Sequence, residues 1–139
     1  MRVVLIILAV AGIVVSSLAL RVHYHQGTEP CDINEHWDCG VVNHSSFAMI
    51  GSAPVAAIGI LGYLLLGALA FMRQRFVLLL AVFAAFCFAL RLTFIEEYAL
   101  LVWCLYCVIS QCIIALMLVL SLGWFANEYL TLKRAKGAV

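Results

Sequence analysis

Residues 100–125 read LLVWCLYCVISQCIIALMLVLSLGWF, an apolar run without a single Asp, Glu, Lys or Arg. A helix of about 20 such residues crosses the roughly 30 Å hydrocarbon core of a bilayer, so we predict a transmembrane helix here. Spanning a bilayer requires only apolar side chains. The run nevertheless contains two cysteines three residues apart, Cys104 and Cys107, which need a separate explanation.

Three further apolar runs, at residues 3–20, 54–72 and 76–95, are also long enough to span a membrane. The chain has 139 residues, of which 67% are hydrophobic and 11% charged, which is more apolar surface than a soluble domain of this size can bury. We predict an all-α membrane protein: a single membrane domain over residues 1–139, built as a four-transmembrane-helix bundle. The net charge of +1 gives no indication of nucleic-acid binding.

Charge placement predicts the orientation of these helices. Six cationic residues fall at the amino terminus, between the second and third runs, or in the tail KRAKGAV, which we expect to be a solvated anchor: Arg2, Arg73, Arg75, Lys133, Arg134 and Lys136. Lys and Arg favour cytoplasmic loops, so we predict a multi-pass protein of the cytoplasmic (inner) membrane, with both termini cytoplasmic and an extracytoplasmic loop at residues 21–53. A cleaved signal peptide is the alternative for the first run, but its apolar core exceeds the usual length.

On this topology, four of the six cysteines gather on the oxidising face of the membrane, where disulfides persist. Cys104 and Cys107 share one face of a helix at a spacing that a disulfide can bridge. Near the amino end of that helix the thiolate is favoured, which makes Cys104 the better nucleophile or leaving group, so we expect Cys104 to be the cysteine that exchanges. A structural staple or half of a metal site is the alternative, but cross-linking one helical turn stabilises little.

The loop pair Cys31 and Cys39 encloses the polar segment DINEHWD and is either a staple or a shuttle of reducing equivalents. We expect Cys39 to reach Cys104 while Cys31 faces water. The segment DCGVVNHSSFAMIG, residues 38–51, predicts a short interfacial helix with Asp38 as its cap. Its side chains expected toward the membrane are Val41, Val42, Ser45 and Met49.

The intramembrane residues suggest where electrons go next. The sequence carries no haem, flavin or metal motif, so a lipid-soluble quinone is the expected acceptor. Gln111 shares the face of the two cysteines and either donates to a quinone carbonyl or joins helices. Arg91 either pairs with Glu96 or Glu97 or acts on the quinone or a thiolate.

Packing accounts for several other residues. We expect Cys87 and Cys112 to be small core hydrophobes. Gly59 and Gly62 should allow a neighbouring helix to approach closely, behind Pro54 at the helix start. The loop histidines are expected to be solvated, with a metal site as the alternative: His23, His25, His36 and His44.

Together these motifs resemble the vitamin K epoxide reductase family in its bacterial membrane form. The resemblance covers nearly the whole chain and lies in CDIN at residues 31–34, GILGY at 59–63 and CLYC at 104–107, with Cys39 followed by Val42, Ser45 and Phe47. It implies a bundle around a quinone of the menaquinone, ubiquinone or phylloquinone type. It also implies that Cys104 and Cys107 are the active-site pair and that Cys31 and Cys39 are the shuttle.

In such proteins Cys39 exchanges with Cys104, Cys107 lies against the quinone and Ser45 helps to hold the loop over the pocket. The resemblance implies that the protein reoxidises a thioredoxin-like, DsbA-type extracytoplasmic partner and so supports disulfide formation in exported proteins. We expect no fused thioredoxin domain, and therefore a separate partner polypeptide.

Two positions depart from the vertebrate pattern. Vertebrate members carry a tyrosine and an asparagine that bind the vitamin K head group, where this chain has Gln111 and Val55. We therefore expect plain quinone reduction rather than epoxide reduction, with quinone contacts among Gln111, Ser45, Arg91 and Val55, and no metal. The alternatives are a membrane carrier of soft metal ions that uses its cysteine pairs, and a structural membrane protein with incidental disulfides.

Overall fold

A computed structural model describes residues 1–137 of the chain, and most of them are helical. The elements in chain order are α1 (Arg2–Tyr24), α2 (Cys39–His44), a 3₁₀ turn (Ser46–Ala48), β1 (Met49–Ile50), β2 (Ala53–Pro54), α3 (Val55–Phe71), α4 (Arg75–Ile95), a π-helical turn (Glu96–Leu100) and α5 (Leu105–Gly137). The two strands pair antiparallel in a small hairpin ahead of α3.

Within residues 1–137, three helical segments are long and apolar enough to cross a membrane: α1, α4 with its π-helical turn, and α5. The fourth apolar helix, α3, is shorter, with 17 residues. These lengths and compositions are those of a helical membrane protein, as the sequence predicted. The four-pass topology and the sidedness of the loops stay predictions.

The bundle core lies where α1 packs against α3 and α5, and where α4 packs against α5. Its fully or nearly buried members are Leu5, Ala9, Tyr63, Leu66, Ala70, Leu78, Val82, Ile114 and Met117. A Cβ added at Gly12 would overlap the ring of Tyr63, and one at Gly59 would lie 2.9 Å from Ser16 Oγ. The close approach expected at Gly59 is therefore confirmed, whereas a Cβ at Gly62 would meet nothing within 4 Å.

The last predicted span begins later and ends later than expected. After the π-helical turn, Leu101 adopts a left-handed conformation with φ 56°, which ends the helical path. Helix α5 then begins at Leu105, so Cys104 precedes the helix instead of lying in it. The basic tail is helical and exposed through Gly137, while residues 138–139 lie outside the described part.

The connection between α1 and α3, called the outer loop after its predicted side of the membrane, contains the predicted short helix, α2, with the predicted cap. Asp38 Oδ1 accepts a hydrogen bond from the Val41 backbone N–H at 2.8 Å. The helix ends at His44, which leaves Ser45 and Met49 beyond it, and Val42 is buried while Val41 is exposed. Only part of the expected apolar face therefore lies on this helix.

Candidate active site

Cys31 and Cys39 form a disulfide with their Cα atoms 5.8 Å apart. Both are buried, with exposed fractions of 1% and 0%. The prediction that Cys31 faces water is therefore wrong. The outer loop folds back on the bundle, and the disulfide packs with Val22, Val42 and Cys104 in a second, smaller apolar cluster.

Backbone and side-chain hydrogen bonds hold the disulfide loop in shape. Asn34 Oδ1 accepts from the N–H groups of His36 at 2.9 Å and Trp37 at 3.1 Å, which closes the turn. The Asp32 carboxylate accepts from the N–H groups of Glu29 at 2.7 Å and Gly40 at 3.2 Å. Burial by itself raises the pKa of Asp32, but these backbone donors outweigh it and the net pKa is lowered.

A short backbone bridge ties this loop to the segment before α5. The Trp103 N–H donates to the His36 carbonyl at 2.8 Å, and the Asp38 N–H donates to the Trp103 carbonyl at 3.1 Å. Cys39 follows Asp38 and Cys104 follows Trp103. The bridge therefore places these two cysteines side by side, in the same buried cluster.

Cys104 lies at the amino end of α5, where the sequence predicted a thiolate-stabilising position. Its carbonyl accepts the first bond of the helix, from the Val108 N–H at 3.0 Å, and its side chain is 0% exposed. The hydrogen bond with the Cys107 thiol lowers the pKa of Cys104, although burial and the charge of Glu96 act in the opposite direction. Cys104 and Cys107 are both free thiols.

Asn43 joins the two cysteine pairs. Its Nδ2 group donates to the Cys39 carbonyl at 2.9 Å and to Cys104 Sγ at 3.6 Å, and the residue is buried. The His23 Nδ1 group donates to the Asn43 carbonyl at 2.6 Å, which fixes the end of α2 against α1. His23 is thus part of a helix and a hydrogen-bond network, not of a solvated loop.

A cavity of about 390 Å³ with mainly apolar walls opens inside the bundle below these groups. Cys107 lines it, whereas Cys104 does not. The inner pair, Cys104 and Cys107, therefore has one thiol toward the outer pair, Cys31 and Cys39, and one toward the cavity. Three of the four predicted quinone contacts also line it: Gln111, Ser45 and Val55. Arg91 does not line it and is exposed on α4.

The polar groups of the cavity wall differ in how well they are bonded. The Tyr63 hydroxyl pairs with Ser110 Oγ at 2.8 Å and donates to its carbonyl at 3.0 Å. Ser45 Oγ donates to the Val42 carbonyl at 2.7 Å. Gln111 Oε1 is buried and has no hydrogen-bond partner among residues 1–137. A buried polar atom is normally hydrogen-bonded, so this oxygen is a candidate for contact with a ligand.

Sequence reasoning missed the role of Glu96. Glu96 was expected only as one of two acids that could pair with Arg91, but its side chain is 3% exposed and its Oε2 accepts from the Cys104 N–H at 3.1 Å. Within residues 1–137, Arg91 forms no ion pair. The sequence signal that could have indicated this contact is the position of Glu96, eight residues before Cys104 in the connection between α4 and α5.

Two further expectations need correction or qualification. Cys87 and Cys112 are exposed on the outside of the bundle and are not core residues.

The ligand atoms of Cys31, Asp32 and Cys39 lie within 4.8 Å of one another, a spacing that suits a metal ion. In the disulfide, however, the two sulfurs are not thiolates and cannot serve as ordinary ligands.

The described helices are those of a membrane protein, and at one end they hold a disulfide packed with two free thiols. The model of the vitamin K epoxide reductase family matches residues 3–122. The chain belongs to this family, which confirms the resemblance of its cysteine motifs and implies that it is an oxidoreductase. No curated protein matches the chain closely enough to count as a relative.

Proposed function

We propose that the protein is a membrane thiol:quinone oxidoreductase that oxidises a thioredoxin-like, DsbA-type partner. One observation carries this function. Cys39 and Cys104 lie in one buried cluster, while Cys107, a single turn further along, lines the apolar cavity. The two pairs thus form a continuous path from the outer loop to the interior of the bundle.

The relay consists of two thiol–disulfide exchanges. A partner dithiol reduces the Cys31–Cys39 disulfide and becomes a disulfide itself. The Cys39 thiolate then attacks Cys104 of an oxidised inner pair, and Cys31 resolves the mixed disulfide, which regenerates Cys31–Cys39 and leaves Cys104 and Cys107 reduced. The redox state described above, with the outer pair oxidised and the inner pair reduced, is the product of this exchange.

A quinone fits the cavity by its chemistry. The walls are mainly apolar, and Gln111 Oε1 is buried without a hydrogen-bond partner. Turning this amide so that its NH₂ group donates to a quinone carbonyl would therefore break no hydrogen bond of the oxygen. Ser45 and Val55 would complete the contact. When bound, a quinone accepts the two electrons and two protons that leave the Cys104–Cys107 dithiol as it becomes a disulfide.

The same proposal places the protein in the cytoplasmic membrane. Both termini lie in the cytoplasm and the loop with Cys31 and Cys39 lies outside. The reason is that most basic residues flank the helix ends on the side away from this loop, and Lys and Arg favour the cytoplasmic side. The partner is an extracytoplasmic thioredoxin-like protein, and the net result is a supply of disulfides for exported proteins.

Quinol formation by the purified protein tests this function. Wild type, given a reduced thioredoxin-like protein and a quinone, should form quinol, and Cys104→Ala should form none with any reductant. Cys39→Ala should fail with the protein reductant but retain turnover with a small dithiol that reaches Cys104 directly. Cys112→Ala is the matched control, since this thiol is exposed away from the cluster. Absence of quinol from wild type with every quinone and partner would contradict the function.

A soft-metal carrier is the second candidate, because Cys31, Asp32 and Cys39 have the spacing of a metal site. It requires the outer pair to be reduced. Stoichiometric copper(I) or zinc in the reduced protein, lost in Cys31→Ala and accompanied by no quinol formation, would favour this candidate over the redox relay.

A further inference from the structure

We propose that Glu96 is the proton acceptor of the inner dithiol. This role rests on the proposed thiol oxidation and adds to it a residue that takes the proton released when the Cys104–Cys107 disulfide forms. The carboxyl lies in the π-helical turn Glu96–Leu100, at the junction between the cavity and the two inner cysteines.

The contacts of Glu96 point to this role. Its Oε2 accepts from the Cys104 backbone N–H at 3.1 Å, and Glu96 and Cys107 line the same cavity. One acidic group therefore contacts Cys104 and shares with Cys107 the space where their electrons are delivered. A carboxyl with this reach can take a proton from a thiol and release it into the cavity.

The burial of Glu96 is otherwise unexplained. A carboxyl that is 97% buried is unfavourable unless it is paired, and within residues 1–137 no cation forms an ion pair with it. The other titratable side chains facing this space are Cys107, Tyr63 and Tyr106 from α3 and α5, together with Cys104 beside them. Its sequence neighbours Glu97 and Arg91 are both exposed.

The proposed step balances in atoms and electrons. Two S–H bonds break and one S–S bond forms, which releases two electrons and two protons. Both electrons and both protons go to a quinone, the acceptor of the proposed function, which becomes a quinol. Glu96 takes the proton of the Cys107 thiol and passes it to the reduced quinone, so that the carboxyl ends in its starting state, while the Cys104 proton reaches the quinone without Glu96.

A purely structural role for Glu96 makes a different prediction for Glu96→Gln. The amide oxygen of Gln still accepts from the Cys104 N–H and so preserves the start of α5, but an amide cannot carry a proton. If Glu96 only positions Cys104, this variant should oxidise its dithiol at the wild-type rate. If Glu96 takes the proton, oxidation by quinone should slow by roughly 100-fold or more at neutral pH. The loss should diminish as pH rises and the thiols ionise without help.

The matched control is Glu97→Gln, which removes an exposed acid from the same turn and should leave the rate unchanged. A readout without quinone is the pH profile of Cys104 alkylation by a small uncharged reagent. Loss of the facing negative charge should move its midpoint to lower pH in Glu96→Gln and not in Glu97→Gln. Helical content and an intact Cys31–Cys39 disulfide verify that each variant is folded.

Retention of the wild-type rate in Glu96→Gln would overturn the proposal, because that result indicates positioning alone. A lost rate with an unmoved alkylation midpoint would also overturn it, because Glu96 would then carry no charge beside Cys104 with which to take a proton. Glu96→Asp, which keeps an acid, should retain more of the rate than Glu96→Gln; the reverse order would also overturn it. Wild type that forms no quinol at all would instead refute the proposed function, so the two failures are distinguishable.

Discussion

At the scale of single residues, Asn43 shows how one side chain couples the two cysteine pairs. Its amide donates both to the Cys39 carbonyl and to Cys104 Sγ, so a shift of the outer loop would break the hydrogen bond to Cys104. It lies four residues after Cys39 on the same face of α2. That spacing was visible in the sequence, but its target, 61 residues further along the chain, was not.

Gln111 carries a residue-scale prediction in which stability and activity change in opposite directions. A buried acceptor without a partner costs about 1–3 kcal/mol, so Gln111→Leu should leave the protein without quinone at least as stable as wild type. The same change should raise the KM for quinone about tenfold, the equivalent of one lost hydrogen bond. Thermal unfolding and steady-state quinol formation measure the two effects.

Gln74→Leu is the control for this substitution, because Gln74 is exposed at the start of α4, away from the cavity. It should change neither quantity. Unchanged quinone kinetics in Gln111→Leu would remove Gln111 from the binding site.

At the scale of elements, the outer loop depends on carboxylates that organise backbone N–H groups. Asp38 caps α2 beside Cys39, and Asp32 bonds both ends of the disulfide loop. The cap could be read from the sequence because capping is local. The burial of Cys31 could not be, since it depends on a bridge between Trp37 and Trp103, two residues far apart in the chain.

Asp32→Asn tests this organisation through its pH dependence. The folded-state pKa of Asp32 is lowered, so its carboxylate contributes stability at neutral pH that is lost as pH falls through the folded pKa. The variant should be less stable than wild type by about 1 kcal/mol at neutral pH, the worth of one hydrogen bond. The difference should close below about pH 4. Thermal unfolding in detergent across this range measures it.

Glu35→Gln is the control, since it alters an exposed acid within the same loop. A stability difference for Asp32→Asn that stays constant from neutral to acidic pH would contradict the assigned role of the Asp32 carboxylate.

The start of α5 shows a second limit of sequence reasoning at this scale. The apolar run from residue 100 onward gives no sign of an interruption, because Leu101 is not a residue type that usually adopts a left-handed conformation. Residues 101–104 lie outside the helix, where the backbone of Trp103 forms hydrogen bonds with His36 and Asp38 of the outer loop. The consequence is functional, because it leaves Cys104 at the helix terminus, next to the disulfide.

At the scale of the whole molecule, composition and cysteine spacing predicted a helical membrane protein with two cysteine pairs, and the motifs CDIN, GILGY and CLYC indicated the family. Hydrophobic run length and CxxC spacing are local signals, and they survive in any tertiary arrangement. The cavity wall is different, because its residues come from α1 through α5. Gln111, Ser45 and Val55 line the cavity, but their contact with a quinone stays a prediction. Arg91 is exposed, and the buried Glu96 was not predicted to line the cavity.

The central claim is that electrons pass between the pairs through Cys39 and Cys104, and a double variant, Cys31→Ala with Cys107→Ala, tests it most directly. Each remaining thiol of the relay then lacks its usual partner, so mild oxidation should join Cys39 to Cys104 within one chain in nearly all molecules. Mass spectrometry of the digested protein detects this cross-link. Two thiols that stay separately alkylated, or that pair only between chains, would contradict the relay.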